Sequence, residues 1–315
     1  MTTVIFRRFI PIFPLLTAML GGSPSNALAN PDAARPWQMG LQPAASPTME
    51  RIHDLHDILL WMCVLITLFV LALLLYCVWR FSERNNPTPS ATSHNTPLEI
   101  IWTVVPVMIL AFIAVPSFKL LYFADRAREA DMTLKITGHQ WYWSYQYPDH
   151  GEFEYDSYLV AEEDLKPGQP RLLQVDNPVV LPVDTSVRLL MTSADVIHDW
   201  GMPNFGVKLD AVPGRTNETW VRATREGTFY GMCSELCGVN HGFMPITVHV
   251  VSKEAFEAWT ERASEQFEAN GGAIDETPRI AEVVERLNAA ADAASGPNKQ
   301  DRRRGEQTVS RGTSG

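Results

Sequence analysis

Two long apolar runs near the start of the chain restrict its fold more than any other feature. Residues 58–79 contain no charged side chain, and residues 100–118 are equally free of charge. Each run reaches about the 20 residues that a helix needs to cross a bilayer. We therefore predict two membrane helices, over about residues 56–79 and 99–121, that form an antiparallel hairpin.

The first 29 residues have the pattern of a secretory signal peptide. A pair of arginines precedes a short apolar stretch, and Ala27-Leu28-Ala29 fits a cleavage site. The stretch is too short to span a bilayer, although an uncleaved N-terminal anchor is the alternative. Cleavage would leave the mature chain beginning near residue 30, outside the cytoplasm. The hairpin, within a segment of residues 30–124, would then place residues 80–99 in the cytoplasm and the remaining chain outside.

Beyond residue 131 the pattern changes to short β-prone runs separated by Pro, Gly, Asn and Asp. Strands are predicted at residues 132–136, 140–147, 172–175, 186–190, 219–221 and 246–251. This spacing is typical of a sandwich or barrel, and an all-β Greek-key cupredoxin-like barrel fits, with His198 on a loop facing the last two strands. The domain should span residues 125–270 and end in an amphipathic helix at 253–270. Residues 271–315, rich in Ala, Gly, Ser and charge, are predicted to be a disordered tail.

Metal-binding side chains are concentrated in residues 233–244, where two cysteines, a histidine and a methionine follow the pattern C-x3-C-x3-H-x2-M. Thiolate, imidazole and thioether together are the donors that soft transition metals select, which favours copper. Two thiolates on one loop can bridge two metal ions, each of which then needs one histidine and one weak ligand. The predicted ligands are Cys233, Cys237, His241, Met244, a second histidine at His198 and the backbone carbonyl of Glu235.

Two other interpretations of this loop remain open from the residues alone. Exported cysteines are usually oxidised, so Cys233 and Cys237 could form a disulfide. A disulfide, however, does not require a histidine and a methionine at these offsets. Zinc would use the thiolates and the imidazole but gains little from the thioether of Met244.

These motifs resemble subunit II of haem-copper cytochrome c oxidase of the bacterial and mitochondrial type. The likeness covers roughly residues 40–260 and rests on CSELCGVNHGFMP at 233–245, DVIHDW at 195–200 and GHQWYWSY at 138–145. It implies a subunit that accepts electrons from cytochrome c at a dinuclear copper A centre and passes them to subunit I. There oxygen is reduced to water and protons are pumped. It also implies subunits I and III as partners and the bacterial inner membrane as location, with the copper domain on the periplasmic side.

The resemblance further assigns roles to three residues. The tryptophan that matches Trp141 receives electrons from cytochrome c in the family, although aromatic strands more often serve packing. The glutamate that matches Glu99 stands at the cytoplasmic mouth of a proton pathway, and an ordinary interfacial charge is the alternative. The carboxylate that matches Glu235 binds magnesium at the boundary with subunit I, which suits an oxygen donor.

The charge of the chain points to basic partners. The net charge of −10 argues against a nucleic-acid partner. Between residues 146 and 166 every ionised residue is acidic. Such a run is usually a solvated face, but beside an aromatic strand it would steer a basic protein such as cytochrome c. The predicted docking acids are Asp149, Glu152, Glu154 and Asp156 from this run, together with Asp195, which the resemblance matches to another position of the family's docking face.

Departures from the family pattern are few. Ala194 and Asp199 replace an acid and a serine that often flank this histidine, which could alter docking or the hydrogen bonds around the centre. The chain has no C-x-x-C-H motif, so no attached c-type haem is predicted. Rival functions are a membrane-tethered copper carrier and a quinol-oxidase relative that lacks the copper ligands. The complete ligand set argues against the second.

Overall fold

The structure is a computed structural model that describes residues 32–269, apart from residues 36, 89 and 126–128. The predicted signal peptide at 1–29 and the predicted tail at 271–315 lie outside the described residues. Within the described part, two long helices precede a β domain, and a third helix follows it.

Both predicted membrane helices are present, and both are longer than predicted. They are α1, Pro47–Arg80, and α2, Thr96–Asp125. Their apolar stretches are not buried inside the protein. Helices that are apolar all round and uncovered need a bilayer as their surroundings. At 34 residues, α1 is about 50 Å long against a hydrocarbon core of about 30 Å, so its polar first turns extend beyond the lipid.

The β domain consists of two five-stranded sheets, which confirms the predicted all-β cupredoxin-like fold. The first has the order β3-β2-β1-β5-β8 and the second the order β4-β10-β9-β6-β7. The strands are β1 Met132–His139, β2 Tyr142–Gln146, β3 Glu154–Ser157, β4 Val179–Pro182, β5 Val187–Ser193, β6 His198–Met202, β7 Val207–Ala211, β8 Asn217–Val221, β9 Gly227–Cys233 and β10 Pro245–Val251. β1 with β5 and β4 with β10 are parallel, and the other pairs are antiparallel.

Alternating side chains from both sheets fill the space between them. Leu134 and Ile136 of β1 and Ile246 and Val248 of β10 are fully buried. Burial of such a side chain contributes roughly 1.5–3 kcal/mol, so this layer is the main source of stability. The predicted amphipathic helix is also present as α3, Lys253–Ala269, and it buries Trp259 among the aromatic rings at one end of the sandwich.

The prediction from sequence misses the five strands β3, β4, β6, β7 and β9, and it places a strand at residues 172–175 where none forms. Residues 172–175 form turns and a single isolated bridge, because Leu172 has a left-handed φ of 64° that no strand accommodates. β4 and β6 escape detection because every residue in them is buried, so neither shows the alternation of a half-exposed strand. The prediction of His198 on a loop is wrong, since this residue begins β6.

The segment before α1 is part of the β domain. Ala45 is fully buried, donates its N–H to the Asn204 carbonyl at 2.8 Å and accepts the N–H of Thr224 at 3.0 Å. The next residue, Ser46, caps α1 and donates its hydroxyl to the Phe205 carbonyl at 2.6 Å. The start of the first membrane helix is therefore fixed to the domain by hydrogen bonds rather than by a flexible linker.

An ion pair secures the beginning of this segment. Both guanidinium Nη atoms of Arg225 contact the carboxylate of Asp32, one of them at 2.8 Å. The Asp32 side chain is only 5% exposed, whereas that of Arg225 is 39% exposed. Arg225 also lies over the ring of Phe229, 4.8 Å from its centroid. Because the Asp32 carboxylate is buried, its negative charge is stabilised only while the Arg225 guanidinium is paired with it.

The end of the second membrane helix is fixed in a similar way. Trp220 on β8 donates its indole N–H to the Phe123 carbonyl at 2.9 Å, and Thr219 donates its hydroxyl to the Ala124 carbonyl at 3.0 Å. The guanidinium of Arg51 on α1 lies 3.5 Å from the centroid of the Phe123 ring. Both outer ends of the hairpin thus contact the β domain, which sets where the domain sits above the membrane helices.

We expect Arg225→Gln to lower the free energy of unfolding by about 2 kcal/mol, because it leaves the Asp32 carboxylate buried without its counter-charge. Thermal unfolding of the full chain in detergent, followed by circular dichroism, measures the loss. Arg171→Gln is the matched control, since Arg171 pairs with Glu162 at 2.8 Å while both side chains are more than half exposed. Its cost should stay below about 0.5 kcal/mol. Equal losses in the two variants would contradict a structural role for the Asp32 pair.

Candidate metal centre

The predicted ligands come together at one end of the sandwich. His198 begins β6, Cys233 ends β9, and the loop from β9 to β10 carries the remaining donors. Pairing of Trp200 with Cys233 places β6 directly beside the loop. The ligand atoms of His198, Cys233 and Cys237 all lie within 4.8 Å of one another. Residues 35 positions apart in sequence are therefore neighbours because of the sheet.

Each thiol faces one imidazole. The two Sγ atoms are 3.8 Å apart. Cys233 Sγ lies 3.9 Å from His198 Nδ1, and Cys237 Sγ lies 3.6 Å from His241 Nδ1. Both cysteines are almost fully buried, at 2% and 3% exposure, so little water competes for their sulfurs.

A weak donor accompanies each thiol as well. Met244 Sδ lies 3.5 Å from Cys237 Sγ, and the Glu235 carbonyl oxygen lies 3.3 Å from Cys233 Sγ. The arrangement is pseudo-symmetric: two central sulfurs, one imidazole nitrogen on each side and one weak donor on each side. All six predicted ligands contribute to it, and the thiolate, imidazole and thioether set fits copper.

The alternative interpretations do not match this geometry. A disulfide requires about 2.05 Å between the sulfurs, and here Cys233 and Cys237 are 3.8 Å apart as free thiols. Zinc leaves the buried thioether of Met244, which is 2% exposed, without a purpose at the centre.

The protonation of the thiols favours a metal cation. Although burial opposes ionisation, contacts with His198 and with backbone amides lower the pKa of Cys233 to about 7. Burial and the negative charge on Cys233 raise the pKa of Cys237 to about 12. At neutral pH Cys233 is therefore about half ionised, whereas Cys237 keeps its proton. A cation that binds both thiolates must therefore displace the proton of Cys237.

The hydrogen bonds of His198 fix its tautomer. Its Nε2 lies 2.8 Å from Asp195 Oδ1, and a carboxylate can only accept, so Nε2 carries the proton and Nδ1 offers its lone pair to the centre. Asp195 also accepts the backbone N–H groups of Gln140 and Val196, each at 2.6 Å. Although burial opposes ionisation, these donors lower the pKa of Asp195. The structure thus places this predicted docking acid against a ligand, a role that the sequence does not reveal.

Trp141 is in direct contact with the ligand loop. Its indole N–H donates to the Cys237 carbonyl at 3.2 Å, and the amide of Gln140 donates to the same oxygen at 2.9 Å. Gly238 has φ of 121°, and a Cβ there would lie 3.0 Å from the indole ring. Only glycine lets the loop turn away while keeping this contact. The half-buried indole is therefore hydrogen-bonded to the backbone of a residue whose thiol is a predicted metal ligand.

Trp143 is a site residue that sequence analysis did not single out. Its ring is fully buried, donates its N–H to the Met244 carbonyl at 3.3 Å and lies edge-on to the His198 ring at 5.9 Å. The signal that could have indicated it in the sequence is its position on β2, two residues after Trp141. The alternation of a strand directs Trp143 inward.

The acids predicted for docking form two groups. Asp149 and Glu152 lie in the turn between β2 and β3, at the far end of β2 from Trp141. Asp149 accepts the N–H of Thr133 at 2.6 Å, and Glu152 is exposed. At about 3.4 Å per residue, this turn is on the order of 20 Å from Trp141.

The second group is nearer to Trp141. Burial, followed by the charges of Asp156 and Asp195, raises the pKa of Tyr142, the residue after Trp141. Glu154 is exposed two residue pairs further along the β2–β3 ladder than Asp156. Negative charge is therefore present both around Tyr142, the residue next to Trp141, and along the strand that leads away from it.

Glu99 lies at the start of α2, far along the chain from the metal loop. Its carboxylate accepts the backbone N–H of Asn95 at 3.1 Å, and the Asn95 side chain accepts the N–H of Leu98 at 3.3 Å. The two side chains satisfy backbone groups of the first turn. The structure therefore gives Glu99 a capping role, and its predicted role in proton uptake stays a prediction.

Asp199 is an unusual neighbour of the centre. Its side chain is 1% exposed, and its Oδ2 accepts from the ammonium of Lys208 at 3.2 Å. Burial raises its pKa to about 6, while Lys208 opposes the shift. Among the described residues its Oδ1 has no hydrogen-bond partner.

Fold and site together define a membrane-anchored protein whose cupredoxin-like domain carries a buried cluster of cysteine and histidine donors suited to a metal ion. The family model described as cytochrome c oxidase subunit II, periplasmic domain, matches residues 132–251, and the model of its transmembrane domain matches residues 34–120. The chain belongs to the cytochrome c oxidase subunit II family. It is therefore a subunit of an oxidoreductase complex, and its family and donor set together suggest copper as the metal.

Individual relatives agree with the family models. A probable cytochrome c oxidase subunit 2 of Rickettsia bellii is 54% identical over 236 residues, which cover 75% of this chain and 87% of the relative. The cytochrome c oxidase subunit 2 of Oenothera berteroana is 50% identical over 234 residues, covering 72% and 91%. A crystal structure of the periplasmic domain of subunit II of cytochrome oxidase from Bradyrhizobium japonicum is 55% identical, with a TM-score of 0.42, and covers 44% of this chain and 97% of that one.

We expect Asp195→Ala to weaken copper binding by about 10- to 100-fold, because His198 loses the acceptor that fixes its tautomer and ring orientation. Competition titration of the full chain with a copper chelator measures the affinity. Glu154→Ala removes an exposed acid at the start of β3 and should leave the affinity within about twofold. Equal affinities of the Asp195→Ala variant and the unmodified chain would contradict the orienting role.

Proposed function

We propose that this chain accepts electrons from cytochrome c at a dinuclear copper A centre and passes them to the haem and copper centres of subunit I. Oxygen would be reduced to water there, coupled to proton pumping. One observation carries the proposal: two buried thiols, 3.8 Å apart, each face one imidazole nitrogen and one weak donor. The proposed ligands are His198, Cys233, the carbonyl of Glu235, Cys237, His241 and Met244.

The bound copper supplies one-electron exchange. The protein supplies a site that needs little rearrangement per electron, because its donors are held by strands and by hydrogen bonds from surrounding residues. Asp195 holds His198, and Trp143 holds the Met244 carbonyl. The burial of both cysteines keeps water from the sulfurs, so the electrostatic surroundings change little with oxidation state.

Trp141 is the proposed acceptor of electrons from cytochrome c. Its hydrogen bond to the Cys237 carbonyl supports this role, since a half-buried indole offers a direct link between the protein surface and the ligand loop. Asp156 and Asp195 lie on the near side of this surface, with Glu154 beyond them. Asp149 and Glu152, farther along, would contribute to long-range steering of a basic partner more than to contact.

The remaining roles concern the rest of the complex. Glu99 would stand at the cytoplasmic entrance of a proton pathway, and the exposed carboxylate of Glu235 would bind magnesium with groups of subunit I. We assign the hairpin to the bacterial inner membrane, in contact with lipid and with subunits I and III, and residues 125–270 to the periplasm. The proposed signal peptide supports this orientation.

The rival function of a copper carrier has less support. A carrier releases its metal, which favours accessible and exchangeable ligands. Here the side chains of four proposed ligands, Cys233, Cys237, His198 and Met244, are each at most 3% exposed. Such a site favours retention of the metal. The quinol-oxidase relative requires loss of the ligands, and all six positions are filled.

Electron paramagnetic resonance of the full chain, purified in detergent and loaded with copper, tests the proposal. We expect two copper ions per chain and hyperfine structure from one electron shared equally by two copper nuclei. Cys233→Ser and His241→Asn should each abolish this signal while α-helical circular dichroism stays unchanged. A mononuclear signal, or copper that a chelator removes within seconds, would contradict the proposal and favour the copper carrier.

Trp141→Phe in the assembled oxidase should lower the rate of electron transfer from cytochrome c at least about tenfold while the copper signal remains. The substitution keeps an aromatic ring but removes the N–H that contacts Cys237. Trp37→Phe is the control, because Trp37 is 98% exposed and lies before the membrane helices. An unchanged rate in the Trp141 variant would contradict its assignment as electron acceptor.

A further inference from the structure

A charged cluster lies on the sheet next to the metal ligands. Asp199 on β6 is directly opposite Asp210 on β7, and Gly201 is directly opposite Lys208. Side chains two residues apart on a strand share a face, so Asp199, Lys208 and Asp210 lie on the same face of the sheet. Since Gly201 has no side chain, the lysine can reach across it to the Asp199 carboxylate, 3.2 Å away. The result is a buried carboxylate with one bound counter-charge.

The cluster is joined to the ligand loop. The Asp199 carbonyl accepts the N–H of Ser234, the residue between the ligands Cys233 and Glu235, at 3.1 Å. The hydroxyl of Ser234 covers Gly201: a Cβ on that glycine would lie 2.5 Å from Ser234 Oγ and 3.4 Å from Asp199 Oδ1. Asp199 thus contacts one ligand residue through the chain and the ligand loop through a hydrogen bond.

The buried position makes the charge of Asp199 effective. A carboxylate at 1% exposure is poorly screened by water and salt, whereas Lys208 is 65% exposed and better screened. A buried negative charge near a metal centre stabilises the more positive, oxidised state. A nearby positive charge has the opposite effect. Hydrogen bonding alone would not give the two residues effects of opposite sign.

We propose that Asp199 and Lys208 are positioning residues that set the reduction potential of the copper centre, Asp199 lowering it and Lys208 raising it. This inference rests on the proposed function, because it requires copper at the centre. The two side chains are a matched pair, so removing each one separately tests the sign of its effect.

Redox titration of the copper-loaded full chain in detergent, at one alkaline pH and one ionic strength, measures the effect, because Asp199 stays ionised there even when Lys208 is removed. Asp199→Asn should favour reduction by about three- to tenfold in the equilibrium constant for one-electron exchange, and Lys208→Gln should disfavour it by a smaller factor. A tenfold change corresponds to about 59 mV for a one-electron couple. The potential of the double variant should lie between those of the two single variants. Asp149→Asn, a distant acid, should leave the potential unchanged.

Two further measurements separate a change in the reduction potential from disruption of the metal centre or of the fold. The copper hyperfine pattern should be the same in all variants, and the metal-free chains should unfold at similar temperatures. If Asp199→Asn does not fold, Lys208→Gln still decides, because Lys208 is mostly exposed. Shifts of the same sign in both single variants, or no shift beyond twofold in Lys208→Gln, would overturn the inference. Failure of the proposed function is distinguishable, since it would appear as missing copper or a mononuclear signal before any titration.

Discussion

The pairing of β6 with β9 is the constraint on which the site depends. It places His198, at the start of one strand, beside Cys233, at the end of the other, across 35 residues of sequence. A loop alone could not hold an imidazole at that separation, because closing and ordering such a segment costs backbone entropy. The buried layers of both sheets offset that cost, with Ile246 and Val248 on the strand after the loop fully buried. The stability of the sandwich thereby fixes the geometry of the ligands.

Around the ligands the structure adds a set of residues that act on atoms other than the donors. Asp195 holds the ring of His198 through its far nitrogen, Trp143 holds the carbonyl of Met244, and Gln140 holds the carbonyl of Cys237. None of these contacts occupies a lone pair that a metal would use. The donors remain available while their positions are restricted, which is the arrangement that limits structural change during electron transfer.

The sequence predicted some levels of the structure well and others poorly, for physical reasons. All six predicted ligands converge, because thiolate, imidazole and thioether at fixed offsets leave few chemical alternatives. The two membrane helices are equally clear, since long uncharged runs have one stable environment. The strand positions are less predictable: β6 is buried on both faces, and the left-handed φ of Leu172 cannot be inferred from a leucine. The inward role of Asp195 was also hidden, because only the fold shows that its carboxylate meets His198.

The contact between Trp141 and the ligand loop has a consequence for how the protein responds to a partner. The indole of Trp141 and the amide of Gln140 both donate to the carbonyl of Cys237, which belongs to the same residue as one of the two buried sulfurs. A protein that pushes against the indole therefore acts on the peptide plane of the residue that carries the Cys237 sulfur. A contact at the protein surface is thereby transmitted through two hydrogen bonds to the ligand loop. The stretching frequency of the Cys237 carbonyl would therefore change when a partner binds.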